Sequence, residues 1–165
     1  MLSEKLQKAL NEQINNEIFA AYQYLAMAEY FAAMNLDGFA HWMRLQREEE
    51  MNHAMKIFDF VIDRDGRVKL TPIAAPDAKF TNPLNVLKKA LEHERAVTQK
   101  INALYTAAKK ENDYPTEALM QWFVLEQVEE EASALKLVER LEMAGDDKAA
   151  LLILDREVGQ RTSTE

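Results

Sequence analysis

The sequence predicts an all-α fold, a four-helix bundle with one long crossover loop and a short fifth helix near its C-terminal end. Three observations carry this. Only four Gly and four Pro occur among 165 residues, while the good helix formers Ala, Leu, Glu, Lys and Met are abundant. The few breakers gather where long periodic segments stop. Each long segment also repeats apolar residues at alternating spacings of four and three, the stripe that faces a bundle core.

Taken in order, the first helix is expected over roughly residues 4–34. Asn35-Leu36-Asp37-Gly38 ends it, with Asp37 as the expected N-cap of a second helix over roughly 38–64. Asp65 to Pro83 is the only long irregular stretch and holds Pro72, Pro76 and Pro83. A third helix follows over roughly 84–111. Asn112-Asp113-Tyr114-Pro115 then opens a fourth over roughly 115–144, with Pro115 suited to a first helical turn. Gly145 closes it, and Asp146-Asp147 can cap a fifth over roughly 147–158. Short connections make the first and second helices antiparallel, and likewise the third and fourth. The middle loop, near twenty residues, is unusual unless it spans the bundle. A helix of ~28 residues is ~42 Å long, and ~18 extended residues reach about 60 Å. The second and third helices therefore run parallel, and residues 1–165 are expected to form one domain.

Composition narrows the function. With no Cys, disulfides, iron–sulfur clusters, thiolate zinc sites and cysteine nucleophiles are all excluded. Twenty Lys and Arg against 28 Asp and Glu leave a formal charge of −8, and no basic patch appears that would attract nucleic acid. Neither an N-terminal h-region nor an apolar run of ~18–20 residues is present. A soluble, cytoplasmic protein without nucleic-acid or membrane partners is expected.

The chemistry lies in the polar residues that interrupt the four stripes. The first reads Leu6, Leu10, Gln13, Glu17, Ala20, Tyr24, Met27, Phe31. The second reads Phe39, Met43, Gln46, Glu50, His53, Ile57, Phe60. The third reads Leu84, Leu87, Leu91, Glu94, Thr98, Ile101, Tyr105, Ala108. The fourth reads Met120, Phe123, Gln127, Glu130, Ala134, Leu137, Leu141. Every stripe is apolar at both ends and carries carboxylates near its middle. A shift of 77 residues places Glu17, Glu50 and His53 on Glu94, Gln127 and Glu130, and Glu49 on Glu126. One half thus offers Glu…Glu-x-x-His and the other Glu…Gln-x-x-Glu, with residues three apart sharing a helix face.

Four carboxylates at mid-bundle, with His53 beside them, are expensive. An uncompensated buried ion costs several kcal/mol, against a total stability of about 5–15. Protonation relieves part of the cost, and two divalent cations would neutralise all four charges. Mixed carboxylate and imidazole ligands suit iron or manganese rather than closed structural zinc. One Glu from each of two helices and an i,i+3 pair from each of the others is the known di-metal carboxylate arrangement of helix bundles.

The sequence resembles the bacterial non-haem ferritins along nearly its whole length. The resemblance is carried by Asn11-Glu12-Gln13 leading to Glu17, by Glu48-Glu49-Glu50-Met51-Asn52-His53, and by His93-Glu94. It continues through Asn112-Asp113-Tyr114-Pro115, Gln121-Trp122-Phe123 and Glu126-Gln127-Val128-Glu129-Glu130-Glu131. It implies a ferroxidase centre that oxidises Fe(II) with O2 or H2O2. Glu17, Glu50 and His53 would hold one iron, and Glu50, Glu94 and Glu130 the second. Gln127 would contact dioxygen or a solvent ligand, and Tyr24 would hydrogen-bond nearby and be available to supply an electron. Glu49, Glu126, Glu129 and Glu130 match a third iron site. The resemblance further implies a homo-oligomeric shell of twenty-four subunits that stores ferric oxide. No haem is expected: Met51 stands where the bacterioferritin branch has a haem ligand, but Gln127-x-x-Glu130 replaces that branch's second Glu-x-x-His.

Competing interpretations exist for several of these residues. Charge runs such as Glu48-Glu49-Glu50 are ordinarily solvated helix faces, as Glu49, Glu126 and Glu129, off the stripes, would be. Tyr24 could be a core residue whose hydroxyl finds an acceptor, and Trp122 a packing residue. His41 and His93 match no constellation and are expected at structural or surface positions. Leu151-Leu152-Ile153-Leu154 would dock on its own bundle or line a symmetry axis, the option the resemblance favours. Glu117, near the start of the fourth helix, is a candidate pore carboxylate. Two other functions fit the same bundle: a rubrerythrin-like di-iron peroxide reductase, which normally relies on an attached Cys-rich domain or an extra ligand Glu, and an inert helical interaction bundle.

Overall fold

The computed structural model describes residues 1–162. The helices are α1 (Glu4–Ala33), α2 (Asp37–Asp63), α3 (Pro83–Glu111), α4 (Tyr114–Ala144) and α5 (Lys148–Val158), each close to its expected bounds. Ser3 starts α1 by accepting a hydrogen bond from the Leu6 N–H at 3.1 Å. Asn82 and Asp113 cap α3 and α4 in the same way, each followed by a proline in the first turn. Asn35 and Asn112 take left-handed backbone conformations after α1 and α3, a geometry asparagine tolerates at helix ends. Gly145 ends α4 with φ of +54°, and the Asp147 side chain accepts from the Ala149 and Ala150 N–H groups at the start of α5.

One cap differs from expectation. The N-cap of α2 is Leu36, whose side chain cannot accept a hydrogen bond, and Asp37 lies inside the first turn. The missing acceptor comes from α5, where Asp155 Oδ1 accepts the Phe39 N–H at 2.9 Å. Gly38 permits that approach, because a Cβ there would lie 1.7 Å from the Asp155 carbonyl oxygen. A local sequence window cannot reveal a cap supplied from more than a hundred residues away.

Contacts between helix ends establish the topology. The Ser3 hydroxyl donates to Glu111 at 2.5 Å, joining the start of α1 to the end of α3. Arg64 and Asp113 form a two-pronged ion pair at 2.8 and 2.9 Å, joining the end of α2 to the start of α4. The α1–α2 and α3–α4 pairs are therefore antiparallel, while α2 and α3 run parallel across the long connection.

That connection lies along α1, bound by side-chain amides spaced one or two turns apart. Gln7 accepts from the Arg67 N–H. Asn11 accepts from the Lys69 N–H and donates to the Arg67 carbonyl. Asn15 accepts from Thr71 and donates to Lys69, and Gln23 makes both bonds to Asp77. The amides satisfy loop backbone groups that have no ladder partner.

The interior is two apolar clusters separated by a polar layer. One contains Met27, Phe31, Phe39, Met43, Leu87 and Leu141, and the other contains Leu10, Ile14, Ile57, Ile101, Met120 and Phe123. Between them lie buried Gln13, Glu17, Gln46, Glu50, His53, Glu94, Gln127 and Glu130. The predicted stripes are buried almost throughout. At the end of α2, Val61 takes the buried position and Phe60 stays half-buried. α5 docks on its own bundle through Leu154 and Val158, while Leu152 and Ile153 remain 59% and 63% exposed.

Candidate metal centre

Each long helix contributes its interrupting residues at one level, so the layer is assembled by helical periodicity alone. Ligand atoms of Glu17, Glu50 and His53 lie within 4.8 Å of one another, as do those of His53, Glu126 and Glu130. His53 links the groups: its Nδ1 is 3.8 Å from Glu50 Oε2 and its Nε2 is 4.0 Å from Glu126 Oε1. Trp122 and Phe123 meet the imidazole edge-on at 5.6 Å each and fix its plane.

Neutral donors surround the acids. Gln13 donates to Glu17 Oε1 at 2.7 Å, and Gln46 donates to Glu130 Oε2 at 2.8 Å. The Tyr24 hydroxyl donates to Glu94 Oε1 through a short hydrogen bond. Gln127 donates to Glu94 Oε2 at 3.3 Å, with the Glu94 carbonyl and Thr98 Oγ1 also within reach. Glu17 Oε2 is buried with no hydrogen-bond partner among the described residues, a state normally avoided in protein interiors.

Protonation equilibria register the strain. Burial, then the charges of Glu94 and Glu17, push the Glu50 carboxyl well above its ordinary range. Burial raises Glu94 to about 7 despite the opposing hydrogen bonds from Tyr24 and Gln127. Glu130 rises to about 8 through burial and the charge of Glu94. Tyr24 is held neutral by burial and by Glu94, Glu50 and Glu130, so it is a donor in this layer. Near pH 7 the apo-layer therefore keeps part of its charge suppressed by bound protons, which a divalent cation would displace.

The off-stripe acids occupy the neighbouring surface. Glu49, Glu126, Glu129 and Glu130 line one pocket of about 790 Å³, together with His53, Lys56, Trp122 and Arg161. Glu129 is exposed, and Glu49 and Glu126 are half-buried. Glu49 is not simply solvated: Arg161 donates to both of its carboxylate oxygens, at 2.7 and 2.8 Å. Glu117, the candidate pore carboxylate, is half-buried and accepts from the Tyr105 hydroxyl at 3.1 Å. His41 contacts the Arg161 carbonyl at 2.9 Å. His93 packs edge-on to Tyr24 at 6.3 Å, and burial lowers its pKa to about 4, keeping it neutral.

Three contributors escaped the sequence reading. Gln13 and Gln46 stood on the stripes without an assigned role, although an amide beside a buried acid on the same stripe already signals a donor. Arg161 had no signal, because it follows α5 and no helical period links it to the layer.

A family model, the Ferritin-like domain, matches residues 7–144. The chain is 42% identical over 161 residues to the bacterial non-heme ferritin of Bacteroides fragilis, covering 98% of this chain and all of that protein. It is 38% identical to the corresponding protein of Staphylococcus aureus, covering 100% and 99%. Among solved structures, an open pore ferritin from the hyperthermophilic archaeon Archaeoglobus fulgidus matches with a TM-score of 0.96 at 51% identity, covering 98% of this chain and all of that chain.

Proposed function

Because the chain belongs to the ferritin family, we propose that it stores iron and is a ferroxidase, with Fe(II) as substrate and ferric oxide as stored product. The observation that carries this proposal is the buried layer itself. Glu17, Glu50, Glu94 and Glu130 are buried in one layer with His53, Glu17, Glu50 and Glu130 supplying atoms to groups that could hold a metal, and only cations or protons make their proximity tolerable.

In this mechanism Glu17, Glu50 and His53 bind one Fe(II), and Glu50, Glu94 and Glu130 bind the second, with Glu50 shared. Protons held by Glu50, Glu94 and Glu130 leave as the metals arrive. Each Fe(II) gives one electron to O2, so two Fe(III) and one peroxide equivalent result, and a single H2O2 accepts the same two electrons to give water. Gln13 and Gln46 hold Glu17 and Glu130 in their binding orientations. Gln127 offers its amide toward the oxidant, and Tyr24 is available to supply a further electron to O2, its phenolic proton passing to Glu94, to which it already donates. Glu49, Glu126, Glu129 and Glu130 take a third iron on the way to storage. The acidic chain favours cation uptake by its field.

The fold supports a homo-oligomeric shell of twenty-four copies. Exposed Leu125, Val128, Leu152 and Ile153 provide apolar surface for subunit contacts. Among the described residues no helix is long and apolar enough to cross a membrane, in keeping with a cytoplasmic location.

Anaerobic Fe(II) titration followed by O2 tests the activity. Two to three Fe(II) bound per chain and rapid oxidation support it, while no binding would leave only an inert bundle. Light scattering tests the shell, with a particle near twenty-four times 19.0 kDa expected.

A further inference from the structure

We propose that Arg161 is a built-in counter-cation that occupies the outer carboxylate pocket and must yield before a third metal ion binds there. The inference rests on the ferritin-type reading of that pocket and adds a regulating residue from the segment after α5.

The placement is specific. The Arg161 guanidinium grips Glu49 through two hydrogen bonds of 2.7 and 2.8 Å from Nη2. Its Nη1 donates to Gln46 Oε1 through a short hydrogen bond. The guanidinium also lies over the Trp42 ring, 5.1 Å from its centroid. Three independent partners hold one charged group, and the side chain is only 26% exposed. One guanidinium nitrogen spans both Glu49 oxygens and the other serves Gln46, a division of donors that the single nitrogen of a lysine cannot make.

The segment that delivers Arg161 is itself anchored. Asp155 caps α2, Gly159 lies against Gly38, and His41 contacts the Arg161 carbonyl. Gln160, Arg161 and Thr162 form one wall of the pocket whose other walls carry Glu49, Glu126, Glu129 and Glu130.

Two consequences follow. A cation seeking Glu49 competes with a positive charge already bound to both carboxylate oxygens, so Arg161 weakens cation binding at the outer pocket and offsets the charge of Glu49 there. Arg161 also reaches the inner layer. By engaging Gln46 Oε1 it turns the Gln46 amide so that Nε2 points to Glu130 Oε2 at 2.8 Å. Arg161 is thus a positioning residue at the junction between the inner and outer groups. Movement of the tail would release Glu49 to a metal and free Gln46 from Glu130 together.

Anaerobic calorimetric titration of the full-length protein with Zn(II), a cation that undergoes no redox chemistry, tests this. Wild type, Arg161→Ala, Arg161→Gln and Glu49→Gln are compared, with hydrogen exchange of α5 followed in parallel. The expected result is an outer-class Zn(II) that binds at least about tenfold more tightly in both Arg161 variants, the scale set by removing one close competing charge. Glu49→Gln should lose that class. If Arg161→Ala loosens α5, Arg161→Gln decides, since it removes the charge and keeps an amide donor. Unchanged or weaker outer binding in both arginine variants, with the inner sites filled normally, would overturn the role of Arg161 alone. No Zn(II) bound at either class in wild type would instead overturn the functional proposal beneath it.

Discussion

Replacing Glu130 by glutamine should stabilise the metal-free protein at neutral pH and cripple its metal binding. Glu130 titrates near 8 in the fold because of burial and the Glu94 charge, against an ordinary value of 4.5. A raised carboxylate pKa means that stability is fully present below the ordinary value and is lost as pH rises through the folded one. Each pH unit between the two costs the apo-protein ~1.4 kcal/mol. At pH 7 the accumulated cost is on the order of 3 kcal/mol, and at pH 5 it is under about 1 kcal/mol. The amide introduced by Glu130→Gln still accepts from Gln46, so the variant loses the titrating group and keeps the hydrogen bond. Urea unfolding of the chelator-treated protein at pH 5 and pH 7 measures this directly. The wild type should weaken from pH 5 to pH 7, and Glu130→Gln should lose about 2–3 kcal/mol of that decline. Saturating Zn(II) should reverse the ranking, because wild type then gains binding free energy that the variant lacks. A variant less stable than wild type at pH 7 by the same margin as at pH 5 would refute the electrostatic account of the layer.

Other substitutions probe separate parts of the structure. Glu50→Ala or His53→Ala should abolish rapid Fe(II) oxidation in stopped-flow absorbance while circular dichroism stays helical, since Glu50→Ala relieves crowded acids and His53 lies outside both apolar clusters; wild-type rates would contradict those ligand roles. Glu129→Ala should preserve the first oxidation phase and change the iron-to-oxygen ratio measured by oxygen electrode, and an unchanged ratio would remove the third site. Gly38→Ala should undock α5, because a Cβ 1.7 Å from the Asp155 carbonyl oxygen cannot be accommodated without backbone movement; hydrogen exchange should then accelerate across residues 148–158, whereas normal protection would show that the helices separate more easily than their packing suggests.

Much of this architecture was legible in the sequence because helical period and burial are local and repetitive. Glu17, Glu50, Glu94 and Glu130 stood on stripes otherwise apolar, and the fold buries all four in one layer. The duplication that aligns His53 with Glu130 also survives in space, where both belong to one group with Glu126. What escaped detection depends on contacts distant in sequence. Asp37 looked like the cap of α2, but Asp155 supplies the acceptor across more than a hundred residues. The loop after α2 announced its length without its attachment, which Asn11, Asn15 and Gln23 provide from the back of α1. Arg161 carried no periodic signal, although it reaches both Glu49 and the amide that orients Glu130. Leu152 and Ile153 appeared as part of one apolar run, and the fold separates them from Leu154, which packs inward.

Anomalous diffraction at the iron edge from crystals loaded with Fe(II) under anaerobic conditions bears most directly on the central idea. Two strong peaks per chain are expected inside the bundle, one among Glu17, Glu50 and His53 and one among Glu50, Glu94 and Glu130. Iron confined to the protein exterior, with that interior layer empty at saturating Fe(II), would contradict it.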